Sequence, residues 1–129
     1  MAAPTITDKS ISRSVKASTA NFVFSSTVAG TYASTVIIPN GAVIISVATK
    51  ANVALTNGTS FLVKVDAVTI TAAIVLASAN AIGEFTAQAP VLPHTIGTTA
   101  ANAGGGALSI TTTGTFNAGD LDVTVCYVV

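Results

Sequence analysis

Charged residues are scarce in this sequence. Five Lys and Arg and five Asp and Glu make up 8% of the chain, against about 25% in ordinary soluble domains. The formal net charge is zero, so the surface offers little electrostatic barrier to association. The few bases form no basic stripe, which nucleic-acid binding would require. The solvent-facing positions must therefore be filled mainly by Thr, Ser, Ala and Asn. Such an uncharged surface suits a protein whose outer faces are largely covered by neighbouring molecules.

Other absences exclude further classes. There is no tryptophan and there are two tyrosines, so large aromatic hot spots are lacking and a carbohydrate-binding or adhesin module is a weaker alternative. The single cysteine, Cys126, excludes an intrachain disulfide. The N-terminal residues lack the apolar block of a signal peptide. The longest apolar region, residues 36–55, is interrupted by Pro39, Gly41 and Lys50, so neither a cleaved signal nor a membrane-spanning helix is expected.

From residue 21 onward the sequence alternates between strand-like runs and turns. Pro39-Asn40-Gly41 predicts a turn, and Asn57-Gly58 predicts a hairpin because both residues tolerate positive φ. Residues 70–83 fit either strands or a helical turn. Four runs are rich in β-branched or aromatic residues: NFVF (21–24), STVIIP (34–39), GAVIISVAT (41–49) and SFLVKV (60–65). The run VDAVTI (65–70) predicts another strand or a hairpin. A further run, VLPHTIG (91–97), suits an edge strand because its proline cannot donate a ladder hydrogen bond.

The C-terminal residues 108–129 alternate most clearly. We interpret them as a final hairpin around the turn Asn117-Ala118-Gly119-Asp120. One face is apolar and the other is rich in threonine, which is typical of strands in a sandwich. The apolar face is expected to hold Leu108, Ile110, Phe116, Leu121, Val123, Val125, Tyr127 and Val129.

These patterns together predict an all-β fold. We expect an antiparallel β-sandwich of jelly-roll type over residues 21–129, preceded by an extended N-terminal arm over residues 1–20. The arm carries Lys9, Arg13 and Lys16 beside a single acid, Asp8. It could be a solvated terminus or a segment that reaches a neighbouring subunit.

No residue pattern indicates an enzyme. His94 is the only histidine and has no Cys, Asp or Glu beside it in sequence. A Ser-His-Asp triad would have to use His94, but the sequence lacks the G-x-S-x-G motif that presents a nucleophilic serine. Cys126 lies within a strand-like run, where a buried and inert thiol is expected. The triple glycine at residues 104–106 lacks the lysine and helix of a phosphate-binding loop, and Asn57-Gly58-Thr59 reads as a turn rather than a glycosylation site.

The acidic residues offer one further possibility. Asp120 and Asp122 are two residues apart, so they point to one face of a strand. Two carboxylates could hold Ca²⁺, which takes six to eight oxygen ligands, but turn chemistry explains Asp120 after a glycine more simply. Asp66 and Glu84 show no pairing in sequence. No metal or other cofactor is expected.

Three segments in order resemble small virion proteins of tailed bacteriophages. They are TVIIPNGAVIISV (35–47), NGTSFLVKVDAVTI (57–70) and ALSITTTGTFNAGDLDVTVCYVV (107–129). In that group an IP-x-GA strand opens a β-sandwich and a T-GT-x-x-AG-x-x-x-V-x-V-x-YV hairpin closes it. The resemblance covers about residues 34–129, and the low charge of the last strand departs from it.

The resemblance implies a structural role without catalytic residues. It suggests a capsid decoration or cement protein that forms a homotrimer, binds the major capsid protein on the outer surface of the virion, and is made in the host cytoplasm. Lys9, Arg13 and Lys16 would then contact the shell. A tail, collar or fibre-base subunit built on the same sandwich is the main alternative.

Overall fold

The computed structural model describes residues 3–5, 15–65, 68–79, 82–88, 94–95 and 106–129. Every ladder between two described strands is antiparallel, and the helix found among the described residues is a single turn. The all-β prediction is therefore confirmed. The elements are β1 (Val15–Thr27), β2 (Gly30–Ile38), β3 (Val43–Thr56), β4 (Ser60–Val65), β5 (Val68–Thr69), β6 (Ile74–Val75), α1 (Leu76–Ala79), β7 (Thr86–Gln88), β8 (His94–Thr95), β9 (Gly106–Thr113) and β10 (Phe116–Val128).

The strands of the described ranges form two sheets. The first has the order β1-β10-β3-β7, with β8 also paired to β3. The second has the order β2-β9-β4-β5, with β6 also paired to β4. The chain passes from one sheet to the other at each step from β1 to β4 and again from β9 to β10. The narrower sandwich and jelly-roll assignments stay predictions.

This connectivity corrects two hairpin predictions, at Asn57-Gly58 and at the C-terminal residues. Asn57-Gly58 joins β3 to β4, which lie in different sheets, so these residues carry the chain across rather than closing a hairpin. The expected final hairpin is also wrong, because β9 pairs with β2 and β4 whereas β10 pairs with β1 and β3. Turn residues specify a reversal of the chain, whereas strand pairing depends on where the apolar faces pack.

The predicted turn at residues 117–120 is likewise absent. These residues lie inside β10, where the pairing with β3 shifts register between Ala118 and Asp120 and again between Asp120 and Leu121. Gly119 has φ 144°, a value that favours glycine. The glycine therefore marks an irregularity within a long strand. The predicted turn at Pro39-Asn40-Gly41 is confirmed by a hydrogen bond from Ala42 N to Pro39 O of 3.2 Å.

The shorter elements agree with the sequence patterns. Val65 pairs with Val68, so the VDAVTI run forms a tight β4–β5 pair. The ambiguous run after it contains both a strand, β6, and the single helical turn α1. The described part of the run at 91–97 is β8, which pairs with β3.

Both sheets contribute to one hydrophobic core. The expected inward residues Leu121, Val123 and Val125 are fully buried, and the rest of the predicted apolar face is buried up to Tyr127. Val129 was wrongly placed there; it follows the end of β10 and is half exposed. In the core the Phe24 and Phe116 rings stack with centroids 5.0 Å apart.

The boundary of the predicted arm also needs correction. β1 begins at Val15, and its pairing with β10 runs from Val15 opposite Val128 to Ala20 opposite Val123 and beyond. Ala20 is buried in the core. Residues 15–20 therefore belong to the first sheet rather than to an arm. Lys16 is an exposed residue of β1, while Lys9 and Arg13 lie outside the described residues.

Candidate functional site: the outer face and open edges of the sheets

A polar cluster spans three strands on the outer face of the first sheet. We call it the amide–carboxylate cluster; it comprises Asn21 of β1, Lys50 and Asn52 of β3, and Asp120 and Asp122 of β10. The two aspartates share one face, as their spacing predicted. Asn21 lies directly opposite Asp122, and so does Lys50 on the other side. Register shifts beside Asp120 bring Asn52 alongside both carboxylates.

Side-chain amides join the two carboxylates. Asn21 Nδ2 donates to Asp120 Oδ1 at 2.5 Å and to Asp122 Oδ1 at 2.7 Å. Asn52 Nδ2 donates to Asp120 Oδ1 and to Asp122 Oδ2, both at 3.2 Å. Lys50 Nζ lies 3.7 Å from Asp122 Oδ2 and 5.0 Å from the centre of the Phe85 ring. These donors offset the repulsion between the two like charges.

The same contacts set the acidity of one carboxyl group. The hydrogen bond from Asn21 lowers the pKa of Asp122 below its ordinary value, with smaller contributions from Asn52 and Lys50, while partial burial opposes the shift. The ionised form is therefore favoured in the folded chain. Its contribution to stability is present above the unfolded pKa and is lost as the pH falls through the lower folded pKa.

We expect Asn21→Ala to raise the pKa of Asp122 toward that of an ordinary aspartate. The variant should be less stable than the parent at neutral pH, and the difference should vanish in acid once Asp122 is protonated in both. Carboxyl ¹³C NMR titration and melts between pH 7 and pH 2 measure both effects. Thr19→Ala is the matched control on the same face, since Thr19 pairs with Thr124. A pKa of Asp122 that is equal in parent and Asn21→Ala would contradict the assigned cause.

The other candidate residues are not brought into one site. Glu84 is exposed, and Asp66 and the glycines at 104 and 105 lie outside the described residues. His94 pairs through its backbone with Ile44. Cys126 is half-buried on β10, opposite Ala17 and Ser46. Within the described ranges, no group of three or more His, Cys, Asp or Glu is placed to hold a metal ion.

Apolar residues lie on the surface in several places. The Lys50 ammonium group lies over the exposed Phe85 ring, so the two form a mixed polar and apolar patch. Separately, no helix among the described residues is long and apolar enough to cross a membrane. The exposed large hydrophobic residues are Val15, Val23, Val28, Ile37, Ile45, Val53, Val75, Ile82, Phe85 and Val129. They lie on the surface of a chain that has only ten charged residues.

Two long strands have a described partner on one side only. β1 pairs with β10, and β2 pairs with β9, so each ends its sheet. Only Val28 and Ala29 join the two strands. The sequence carries a signal for this feature that pattern analysis missed: residues 17–49 contain no charged residue. Alternation identifies strands, but it does not show which strand ends a sheet.

Comparison with known proteins gives one structural likeness. No family model matches the chain, and no curated protein matches it. Among solved structures, the chain is similar to a chain of the cyanophage Pam1 capsid asymmetric unit, with a TM-score of 0.53 and 21% sequence identity. The match covers 100% of this chain and 92% of that one.

Proposed function

We propose that this chain is a structural protein of a bacteriophage virion, and specifically a capsid decoration or cement protein. The observation that carries the proposal is the likeness, over the full chain, to a component of a phage capsid asymmetric unit. The charge-poor composition and the exposed hydrophobic residues support it, because such a surface suits a chain covered by neighbours. The role requires no catalysis.

The proposed mechanism is the addition of buried contact area across joints between capsid subunits. Burying roughly 400 Å² of apolar surface gains about 10 kcal/mol. That gain lies within the association cost of about 4–15 kcal/mol, so a lone contact of this size is weak. A homotrimer that presents three linked contacts binds far more tightly, because the second and third contacts form within one complex.

We further propose that the N-terminal bases Lys9, Arg13 and Lys16 contact the shell formed by the major capsid protein. The described part of this set, Lys16, lies near the start of β1 and is exposed. Because β1 begins at Val15, a truncation that tests the arm must stop at residue 14. Removing residues 15–20 as well would delete half of the pairing with β10 and unfold the sheet edge.

The test uses particles of the phage that encodes this chain. Quantitative mass spectrometry of purified virions should give a copy number that scales with the number of shell subunits. A copy number that matches the single tail would indicate a tail, collar or fibre-base subunit and overturn the cement proposal.

Removal of residues 1–14 should abolish cosedimentation with capsids that lack the chain. The melting temperature of the truncated chain should remain within a few degrees of the parent. The matched control is Lys64→Ala, which removes one base from β4 and leaves the N-terminal bases in place. Full occupancy of the capsid by the truncated chain would overturn the proposed role of the arm.

A further inference from the structure

We propose that Asn40 is a site of spontaneous deamidation in the folded chain, whereas Asn57 is protected. These two are the asparagines of the sequence that are followed directly by glycine. The proposal concerns a chemical modification of the chain itself and does not depend on the proposed role in a virion. It assigns a reaction to the turn between β2 and β3.

The reaction joins the backbone of one residue to the side chain of the residue before it. The backbone nitrogen of Gly41 attacks Cγ of Asn40. The new N–C bond replaces the bond from Cγ to Nδ2, and ammonia leaves with the proton of the Gly41 N–H. Water then opens the resulting succinimide ring at either carbonyl group, which gives aspartate or isoaspartate. Glycine favours the attack because it has no Cβ and its backbone is the most permissive.

The exposure of the two asparagines does not separate the sites. Asn40 and Asn57 are both exposed, and both lie in connections between strands of different sheets. Asn40 lies between β2 and β3, and Asn57 lies between β3 and β4. Water therefore reaches both side chains. The difference must come from whether the following glycine can move its nitrogen onto the asparagine Cγ.

Gly41 is free to make that movement. It is exposed, and a Cβ built on it would meet nothing within 4 Å. The hydrogen bond that closes its turn runs from Ala42 N to Pro39 O at 3.2 Å, so it lies within the turn itself. Breaking this bond leaves the pairing of β2 and β3 intact. The peptide between Asn40 and Gly41 can therefore rotate while both sheets stay folded.

Gly58 is held in place by contacts with distant parts of the chain. A Cβ built on it would overlap the buried ring of Phe116, so the ring fills the space beside the glycine backbone. The next residue, Thr59, donates its backbone N–H to Thr113 O of β9 at 2.9 Å. Movement of Gly58 toward Asn57 Cγ therefore requires an opening of the core, which is much rarer than movement of an exposed turn.

Deamidation of Asn40 changes both the charge and the shape of this turn. Either product carries a carboxylate in place of a neutral amide, so the chain of zero net charge becomes negative and residues 17–49 gain a charge where they have none. The flanking residues Ile38 and Ala42 are fully buried, which fixes the ends of the turn. Aspartate keeps the backbone length between them, whereas isoaspartate adds a carbon atom to the main chain and strains the turn.

The test follows both asparagines in the full chain, folded in buffer and unfolded in guanidinium, during incubation at mildly alkaline pH. Trypsin cleaves after Lys50, which separates Asn40 from Asn57, and mass spectrometry with fragmentation measures each. In the unfolded chain the two should react at similar rates. Folding should slow Asn57 by more than about tenfold and Asn40 by less than about threefold. Equal slowing of the two sites on folding would overturn the proposal.

Three variants test the assigned cause. Asn40→Gln should remove the acidic form that ion-exchange chromatography separates, because glutamine forms the corresponding ring far more slowly. The matched control Asn57→Gln should leave that form unchanged. Phe116→Leu frees Gly58 and should speed deamidation of Asn57 by at least about threefold, with no change at Asn40. A rate at Asn57 that Phe116→Leu leaves unchanged would overturn the role of the ring. All measurements use the free chain, so they stand whatever the capsid experiments show.

Discussion

Replacement of Gly58 by alanine is expected to destabilise the fold by about 2–3 kcal/mol. A Cβ at this position would overlap the far end of the Phe116 ring, which is fully buried and stacked on Phe24. The ring cannot move away without disturbing the core. The melting temperature should fall by roughly 10 °C, as measured by circular dichroism.

A second substitution tests the cause of this loss. Phe116→Leu shortens the side chain and removes the ring atoms that the new methyl group would meet. Gly58→Ala should therefore cost much less in a Phe116→Leu background than in the parent, which gives a large coupling in a double-mutant cycle. Equal costs in the two backgrounds would show that the ring does not dictate glycine at residue 58.

Gly119→Ala is expected to produce a loss of about 3 kcal/mol for a different reason. The φ of Gly119 is 144°, a conformation that costs a residue with a side chain on the order of 1–3 kcal/mol. In addition, a Cβ there would lie 3.0 Å from Leu55 Cα, and a backbone atom cannot turn aside as a side chain can. Urea denaturation of the variant measures the change in free energy of unfolding.

Gly41→Ala supplies the matched control for backbone strain. Gly41 also has a positive φ, 82°, but a Cβ there meets nothing within 4 Å. Its replacement should cost only about 1 kcal/mol of strain. Shortening Leu55 should rescue Gly119→Ala only in part, because Leu55 Cγ and Cδ2 lie 3.1 and 3.3 Å from that Cβ but the nearest atom, Leu55 Cα at 3.0 Å, belongs to the backbone. A Gly119→Ala variant no less stable than Gly41→Ala would contradict the proposed close contact with β3.

Gly58 shows what the analysis of local sequence patterns missed. The sequence Asn57-Gly58 was interpreted through positive φ at both residues, and Asn57 has that conformation with φ 67°. Gly58 is not among the residues with positive φ; it is required because Phe116 occupies the space of a side chain. Phe116 is 58 positions away in sequence, so no local rule relates the two residues.

The amide–carboxylate cluster shows the same division. Alternation along β10 places Asp120 and Asp122 on one face, and this part was predictable. Asn21 and Asn52 come from strands on either side of β10, and their roles depend on strand order. The register shifts that bring Asn52 to both carboxylates depend on pairing that single-strand patterns do not encode.

The sequence alone determined the all-β class, most strand positions and the buried face of β10, because side-chain alternation and β-branched residues act within each strand. The tertiary structure decided that the chain crosses between sheets where hairpins were expected, and that β1 extends into the predicted arm. It also decided that β1 and β2 each end a sheet among the described strands. These features follow from which apolar faces pack together, and packing joins residues far apart in sequence. The sequence shows that residues 17–49 carry no charge. Only the strand order shows that much of this stretch lies in strands that end the described sheets.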